Sequence, residues 1–440
     1  MDFINGDISK IYKKYLTMAF GSALITSIYS IVDMAMVGQY QGPNGTAALA
    51  VVAPVWNIIY SLGLLTGNGG SVLFSSIKGN KNNTEDANTY FTSAVISSIL
   101  LAIITWILFI VFEDNILIFF GADSSLLTLA KTYLIPILFV LPLFLFNQML
   151  AAFLRNDNDP TLATIGVLSG GIFNMFGDYF FVFTLDMGIF GAGLATAIGS
   201  VISFVVMLVH FKKKINTLTL VRINNFFKQF KEIVINGFST FFIDVAMGLL
   251  TILFNKQIMK YLGTDALSVY GIVINISTFV QCCAYSAGQA SQPILSINYG
   301  AKKYERVKET LKYAIYTVIV FSVFWTALSE IVPNVYISIF MKPTEEILNI
   351  SSSIIRTYAL SFILLPFNIF STYYFQAIMQ PKIAFLISVL RGFVISGILI
   401  IVLPMIFSSS SLWLAMPITE CVVMLYVIYS MKDSIHKMKI

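Results

Sequence analysis

The segment GTAALAVVAPVWNI, residues 45–58, returns later in the chain as GTDALSVYGIVINI, residues 263–276, 218 positions further on. A second pair follows at a shift of 221, where GNGGSVLFSSIKGNK at 67–81 matches GQASQPILSINYGAK at 288–302. The shift of 221 then persists, pairing Asn147 with Asn368, Pro160 with Pro381, Ala163 with Ala384 and Gly171 with Gly392. The pattern predicts that the chain consists of two halves built in the same way.

Composition fixes the environment of both halves. Of the 440 residues, 57% are hydrophobic and only 11% are charged, whereas soluble domains carry about 25% charged residues. A membrane-spanning helix needs about 20 apolar residues to cross about 30 Å of hydrocarbon. Such segments occur twelve times, which predicts an all-α polytopic membrane protein with spans near 15–37, 47–72, 91–112, 127–153, 161–184, 187–210, 233–255, 264–290, 311–333, 350–378, 384–406 and 411–431.

The number of spans in each half determines how the two halves are oriented in the membrane. Six is an even number, so both halves enter the membrane with the same orientation, as a parallel repeat. We expect a first six-helix lobe at residues 1–210, a basic cytoplasmic linker at 211–232, and a second lobe at 233–440. With both termini cytoplasmic, 22 of the 27 Lys and Arg residues lie on the inner side, as the positive-inside rule requires. This topology explains the net charge of +5, so the charge does not indicate nucleic-acid binding, and we expect a multi-pass protein of the plasma or inner membrane.

The duplication favours one functional class over two others. Two like-oriented helical bundles that face each other enclose a central cleft, which suits a secondary transporter that works by alternating access. A channel would need a symmetric filter or a ring of charges. An enzyme is disfavoured because the sequence contains no HExxH, GxSxG or P-loop motif. The three cysteines have neither disulfide nor metal-ligand spacing, and we expect no cofactor and a monomer.

Acidic residues inside the spans point to function. There are four of them, Asp33, Asp178, Asp244 and Glu420, and each costs about 2.5–3.5 kcal/mol near a helix centre unless it faces a cavity or a partner. Asp33 interrupts the apolar segment IYSIVDMAMVG, residues 28–38. By its distance from the start of span 1 it lies in the outer half of the membrane, at a height similar to that of Asp178 in span 5. The role of Glu420 stays open.

Further polar residues lie at the same depth. Asn174 is one helical turn from Asp178, Tyr29 is one turn from Asp33, and Thr196 in span 6 reaches a comparable height. Carboxylate, amide and hydroxyl oxygens suit Na⁺, and crowded, poorly solvated carboxylates equally hold a proton. These positions are candidates for binding either Na⁺ or H⁺.

Four segments share a pattern with known proteins: SIVDMAMVGQYQGPNGTAALAVVAP, FLRNDNDPTLATIGVLSGGIFNMFGDYFFVF, GIFGAGLATAIG and AGQASQPILSINYGAKKYERVKETLK. On these segments the chain resembles the multidrug and toxic compound extrusion (MATE) family over nearly its whole length. The resemblance implies the two-lobed MATE fold and a drug/cation antiporter. In the family's bacterial DinF-like members, two Asp, an Asn and a Thr of the first lobe serve cation coupling, and by motif position these are Asp33, Asp178, Asn174 and Thr196.

The chain also departs from the family pattern. Some members place an acidic cation site in the second lobe, with an acid in span 10, but residues 350–378 contain none. Asp244 does match the family's acidic position in span 7. We therefore predict coupling in the first lobe and a second functional acid at Asp244, and we take Tyr29, Asn147 and Asp244 as candidate substrate-binding residues.

The expected substrates are lipophilic, mostly cationic drugs and other toxic organic compounds. The chain has 38 Phe, 21 Tyr and 17 Met residues, and acidic groups in such surroundings attract organic cations and adapt to many shapes. The alternative is a lipid-linked oligosaccharide flippase of the same superfamily. Such a protein would place cationic residues in the cleft, and apart from Arg391 these spans have almost none.

Overall fold

Helices form nearly all of the structure, a computed structural model that describes residues 2–81, 84–122, 124–340 and 345–438. No strand occurs within those ranges. The α-helices are α1 (Ile8–Gln41), α2 (Pro43–Lys81), α3 (Thr84–Phe119), α4 (Ser124–Asn156), α5 (Pro160–Tyr179), α6 (Gly188–Leu208), α7 (Phe226–Tyr261), α8 (Gly263–Gly300), α9 (Tyr304–Ile331), α10 (Pro333–Phe340), α11 (Glu345–Ala359), α12 (Leu365–Ala377), α13 (Pro381–Val389), α14 (Ile395–Ile406) and α15 (Ala415–Lys437).

The twelve predicted spans are confirmed. Each one falls on one of twelve helical stretches, found in the described ranges, that are long and apolar enough to cross a membrane. These stretches run for 25 to 37 residues, which exceeds the roughly 20 that a perpendicular span requires. Short 3₁₀ or π turns join or extend some helices, as at Phe180–Thr184 after α5, Leu360–Ile363 before α12 and Leu390–Val394 between α13 and α14. The protein is therefore a multi-pass membrane protein.

The helices form two compact units. The first unit is Thr17–Phe241, and the second joins Asp2–Leu16 to Phe242–Ile440. This division differs from the predicted lobe limits, which separated the halves at residues 210 and 233. The start of α1 belongs to the second unit, and the first half of α7 belongs to the first unit.

Glycines explain why the start of α7 packs within the first unit. A Cβ atom at Gly237 would lie 2.0 Å from the carbonyl oxygen of Leu65, and one at Gly69 would lie 2.2 Å from that of Ile233. No side chain fits at such distances. The backbones of α2 and α7 therefore touch at these two glycines, and this contact places the first turns of α7 against α2.

The N-terminal segment is held in the second unit by backbone acceptors. Asn298 of α8 donates a hydrogen bond from Nδ2 to the carbonyl oxygen of Phe3 at 3.1 Å. Arg306 of α9 donates from Nη2 to the carbonyl oxygens of Phe3 at 2.9 Å and Gly6 at 2.7 Å. An arginine satisfies two backbone carbonyls at once, so the segment before α1 is fixed to α8 and α9.

The start of the predicted linker is fixed to the first unit around a buried histidine. The ring nitrogens of His210 lie 2.9 Å from Asp157 Oδ2 and 3.0 Å from Asp159 Oδ2. Lys213 donates to the same oxygen of Asp159 at 2.7 Å, and the backbone N–H of Thr217 donates to Asp157 at 2.8 Å. Burial raises the pKa of Asp159, but the hydrogen bonds from His210 and Lys213 outweigh it and hold the pKa at about 2. The carboxylate therefore stays ionised at neutral pH and anchors the linker.

Candidate cation site

The carboxyl group of Asp33 lies buried in α1, with 9% of the residue exposed. Tyr133 of α4 donates a hydrogen bond from its hydroxyl to Asp33 Oδ2 at 2.8 Å. The other oxygen, Oδ1, is buried and accepts no hydrogen bond from the residues that the structure describes. A buried carboxylate oxygen without a donor is costly, and a bound cation or a proton removes that cost.

A second group of polar side chains joins α5 to α6. Asn174 donates from Nδ2 to Thr196 Oγ1 at 3.0 Å and to Asp178 Oδ1 at 3.4 Å. Asp178 is completely buried. Among the described residues no donor reaches Asn174 Oδ1 or Asp178 Oδ2. These oxygens add two further acceptors to the one that Asp33 leaves open.

Close approach of α5 and α6 makes this contact possible. A Cβ atom at Gly170 would lie 2.4 Å from the carbonyl oxygen of Gly199, so a larger residue would push the helices apart. Asn174 follows Gly170 by one turn of α5, and Thr196 lies almost one turn from Gly199 along α6. The glycine contact therefore sets the distance between the amide and the hydroxyl.

The two groups form one cluster. The charges of Asp33 and Asp178 interact, and the Tyr133 hydroxyl also lies close to that of Thr196. Within the described ranges, no three His, Cys, Asp or Glu residues gather as they would around a transition metal. Two carboxylates with amide and hydroxyl oxygens instead fit Na⁺ or a proton. The structure brings together the four residues predicted for coupling, and their role in coupling stays a prediction.

Tyr133 is the member of this cluster that the sequence did not reveal. It is one of 21 tyrosines, and an isolated aromatic residue in a membrane helix has no distinctive pattern. Its depth was the available signal, because it lies near the outer end of span 4, at a height similar to that of Asp33. A Cβ atom at Gly193 would lie 2.1 Å from the Tyr133 carbonyl oxygen, so the glycine lets α4 and α6 approach closely there.

The candidate substrate residues of the first half lie in different surroundings. Tyr29 is close enough to Asp33 to sense its charge, and its ring would be 3.2 Å from a Cβ atom at Gly171. Asn147 donates from Nδ2 to the carbonyl oxygen and the hydroxyl of Ser200, both at 3.0 Å. Asn147 is thus a buried link between α4 and α6. A substrate role for either residue stays a prediction.

Asp244 lies in the second unit, where one hydrogen-bond donor reaches it among the described residues. Tyr285 of α8 donates from its hydroxyl to Asp244 Oδ1 at 3.0 Å. Asp244 is partly exposed, unlike Asp178. Among the described residues its carboxylate is held by a tyrosine hydroxyl, without the amide and second carboxylate that surround Asp33.

Glu420, whose role the sequence left open, is completely buried in α15 and paired. Arg391 donates from Nε to Glu420 Oε1 at 2.7 Å. Asn368 of α12 donates from Nδ2 to Glu420 Oε2 at 2.7 Å and to the Glu420 carbonyl oxygen at 3.0 Å. Arg391, the cationic residue that the flippase alternative would need in the cleft, is thus bound to a carboxylate inside the second unit.

Comparison with known proteins supports the assignment that the sequence segments suggested. The chain is 24% identical to the multidrug export protein MepA of Staphylococcus saprophyticus over 390 residues, which cover 87% of this chain and 84% of that protein. It is 25% identical to MepA of Staphylococcus aureus over 405 residues, with 90% and 88% covered. The structure superposes with a TM-score of 0.91 on the outward-facing conformation of a multidrug resistance MATE family transporter, at 20% identity, with 99% and 98% covered. These proteins are transporters rather than enzymes, which confirms that expectation.

The family model described as MatE matches the chain in two segments, residues 19–180 and 238–403. The two segments begin 219 positions apart, close to the shifts of 218 and 221 that relate the repeated sequences. Together they cover well over half of the chain. The chain therefore belongs to the MatE family of transporters.

Proposed function

We propose that the protein exports lipophilic, mostly cationic organic compounds in exchange for Na⁺ or H⁺, by alternating access. The observation that supports coupling is the buried cluster around Asp33 and Asp178, in which three oxygen atoms accept no hydrogen bond from the described residues. The multidrug export proteins similar to this chain support the substrate class.

The cluster supplies what exchange requires. When its carboxylates are ionised and close together, they repel each other and favour uptake of a cation or a proton. Release of that ion restores the charge, so the two states differ in the charge buried among α1, α4, α5 and α6. A helix arrangement that tolerates one charge state better than the other will shift its population when the ion binds.

The decisive experiment imposes the two gradients one at a time. Proteoliposomes containing the purified protein are loaded with ethidium, and efflux is followed under a Na⁺ gradient without a pH gradient, and then under the reverse. We expect one of the two gradients to drive efflux. Failure of both the Na⁺ gradient and the pH gradient to drive efflux would refute the antiport mechanism.

Asn174→Ala and Thr196→Ala are expected to distinguish the two ions. If Na⁺ is bound directly, removal of a neutral oxygen ligand raises the Na⁺ concentration needed for half-maximal efflux, by about tenfold if the ligand contributes about 1.4 kcal/mol. If the carboxylates carry only protons, these variants shift the pH optimum instead. Thr105→Ala is the matched control, since its hydroxyl donates to the Leu101 carbonyl of its own helix at 2.7 Å. Sodium coupling is ruled out if neither Na⁺ nor Li⁺ changes the activity of any variant.

Asp244→Asn is expected to weaken export of organic cations more than export of zwitterionic compounds. A carboxylate held by one tyrosine donor among the described residues attracts a cation but offers too few ligands to enclose a small ion. The measurement is efflux of one cationic and one zwitterionic drug, beside the melting temperature of the purified protein. The matched control is Asp265→Asn, at an exposed position in the first turn of α8. Equal loss for both drugs together with a lowered melting temperature would show a structural role instead.

Membrane orientation and assembly complete the proposal. The distribution of Lys and Arg supports two cytoplasmic termini in the cell membrane, and the protein acts as a monomer in the lipid bilayer. The flippase alternative is not favoured, because the named relatives are multidrug export proteins and Arg391 is already paired with Glu420.

A further inference from the structure

The internal repeat extends to individual hydrogen bonds. In the first unit, Asn147 donates to the carbonyl oxygen and the side chain of Ser200. In the second unit, Asn368, which is 221 residues later, donates to the carbonyl oxygen and the side chain of Glu420. The equivalent asparagines therefore donate to different side chains, namely the hydroxyl of Ser200 in the first unit and the carboxylate of Glu420 in the second.

The helix that packs beside this asparagine contact also differs between the two units, at the equivalent positions Gly170 and Arg391. Arg391 is 221 residues after Gly170, the glycine whose Cβ atom would lie 2.4 Å from the Gly199 carbonyl oxygen. In the first unit, α5 and α6 pack closely here because Gly170 has no side chain. The second unit places a guanidinium there, 2.7 Å from Glu420. A carboxylate and a cation thus occupy positions where the first unit has neither.

We propose that Glu420 and Asn368 form a latent cation site of the second unit, and that the guanidinium of Arg391 occupies it as a permanent, tethered cation. Glu420 is completely buried, and Asn368 Oδ1 is buried with no donor among the described residues. A carboxylate and an amide oxygen are ligands of the kind found around Asp33. Because the charge of Arg391 cannot leave, the second unit needs no exchangeable ion. This inference deepens the proposed function, since it restricts ion exchange to the first unit.

The surroundings of the pair leave room for a replacement cation. Arg391 borders a cavity of about 40 Å³ that is also lined by Ser277 and Gln281, and a water molecule needs only about 10–15 Å³ of such space. Ser277 is buried, and its hydroxyl lies beside that of Tyr358. Removal of the arginine side chain would enlarge this space next to Glu420.

Among the described residues, two tyrosines and a further carboxylate lie near the pair. Tyr358 of α11 lies within electrostatic reach of both Arg391 and Glu420. Tyr285 lies near Arg391 and donates to Asp244, which is the next carboxylate. Since tyrosines remain neutral near pH 7, the carboxylates placed near Arg391 in the described ranges are Glu420 and Asp244, and Asp244 is retained in every variant of the test.

The test uses Arg391→Ala and the double variant Arg391→Ala/Glu420→Gln, both made in the wild-type chain and again with Asp33→Asn. Melting temperature is measured against Na⁺ concentration, guanidinium concentration and pH, and bound ²²Na⁺ is counted by equilibrium dialysis. We expect Arg391→Ala to bind one additional cation per chain, or to gain thermal stability from guanidinium or acidification. The double variant should show none of these responses. The Arg391→Lys control, which keeps the charge, should behave as the wild type.

The Asp33→Asn background separates this inference from the proposed function. A response of Arg391→Ala that persists there arises from the second unit, whatever the first unit binds. If Arg391→Ala cannot be recovered folded while the double variant can, the unneutralised carboxylate is the cause, which supports the proposal. Identical cation and pH responses of the single and double variants, or failure of both to fold, would overturn it.

Discussion

Asp33→Asn is expected to remove most of the efflux activity while the protein remains folded and inserted. The amide keeps the shape of the side chain and still accepts the hydrogen bond that Tyr133 donates at 2.8 Å in the wild type. It removes the charge that the coupling ion neutralises. A loss of efflux rate of about tenfold or more, equivalent to about 1.4 kcal/mol, is expected under either gradient, with a melting temperature close to that of the wild type.

The measurement is initial ethidium efflux per molecule of reconstituted protein. Asp114→Asn is the matched control, because that carboxylate is 56% exposed and pairs with Lys131 at 2.6 Å. The control should transport as the wild type does. Full transport by a well-folded Asp33→Asn protein would remove Asp33 from the coupling mechanism.

Asp178→Asn is expected to have an effect as large, and the double variant with Asp33→Asn should be little worse than either single variant. The reason is that the two carboxylates interact within one cluster. Once the first substitution prevents the cluster from binding its ion, the second substitution can reduce the efflux rate only slightly further. In a double-mutant cycle this appears as a large interaction energy.

Independent sites would give a different result. If Asp33 and Asp178 served separate ions, the two losses would add as free energies, and the double variant would lose the product of the two single fold-changes. The cycle therefore requires single variants with measurable residual efflux, which high substrate loading of the proteoliposomes provides. Additive losses would show that the cluster is not one binding site.

The spans were predictable because each is decided by local composition. A run of apolar residues long enough to cross the hydrocarbon has few alternatives to a helix, so the predicted segments and the helical stretches coincide. The depth of a residue in the membrane likewise depends only on its distance along the sequence from the end of its own span. For this reason counting residues from the span ends brought Asp33, Asn174, Asp178 and Thr196 to one height, and the structure places them together.

Contacts between distant helices were not predictable in this way. Tyr133 joins the cluster where Gly193 lets α4 approach α6. Arg391 and Glu420 lie in different spans, and they meet only when those two spans pack together. The repeat did contain a signal, since residue 391 is the counterpart of Gly170, but a glycine aligned with an arginine has no meaning until the helix crossing is known. The division into compact units was not predictable for a related reason, because packing of the first half of α7 against α2 depends on backbone contact at Gly69 and Gly237.

The exchange of segments between the units has a consequence for cutting the chain. A fragment that ends at residue 210 would lose the linker anchor at Asp157 and the packing of α7 against Gly69, and it would expose glycine-lined backbone on α2. A fragment that ends after Phe241 keeps both, but it still begins with the segment that Asn298 and Arg306 bind in the other unit. The first residues of the chain therefore meet their hydrogen-bond partners only after the ribosome has delivered α8 and α9.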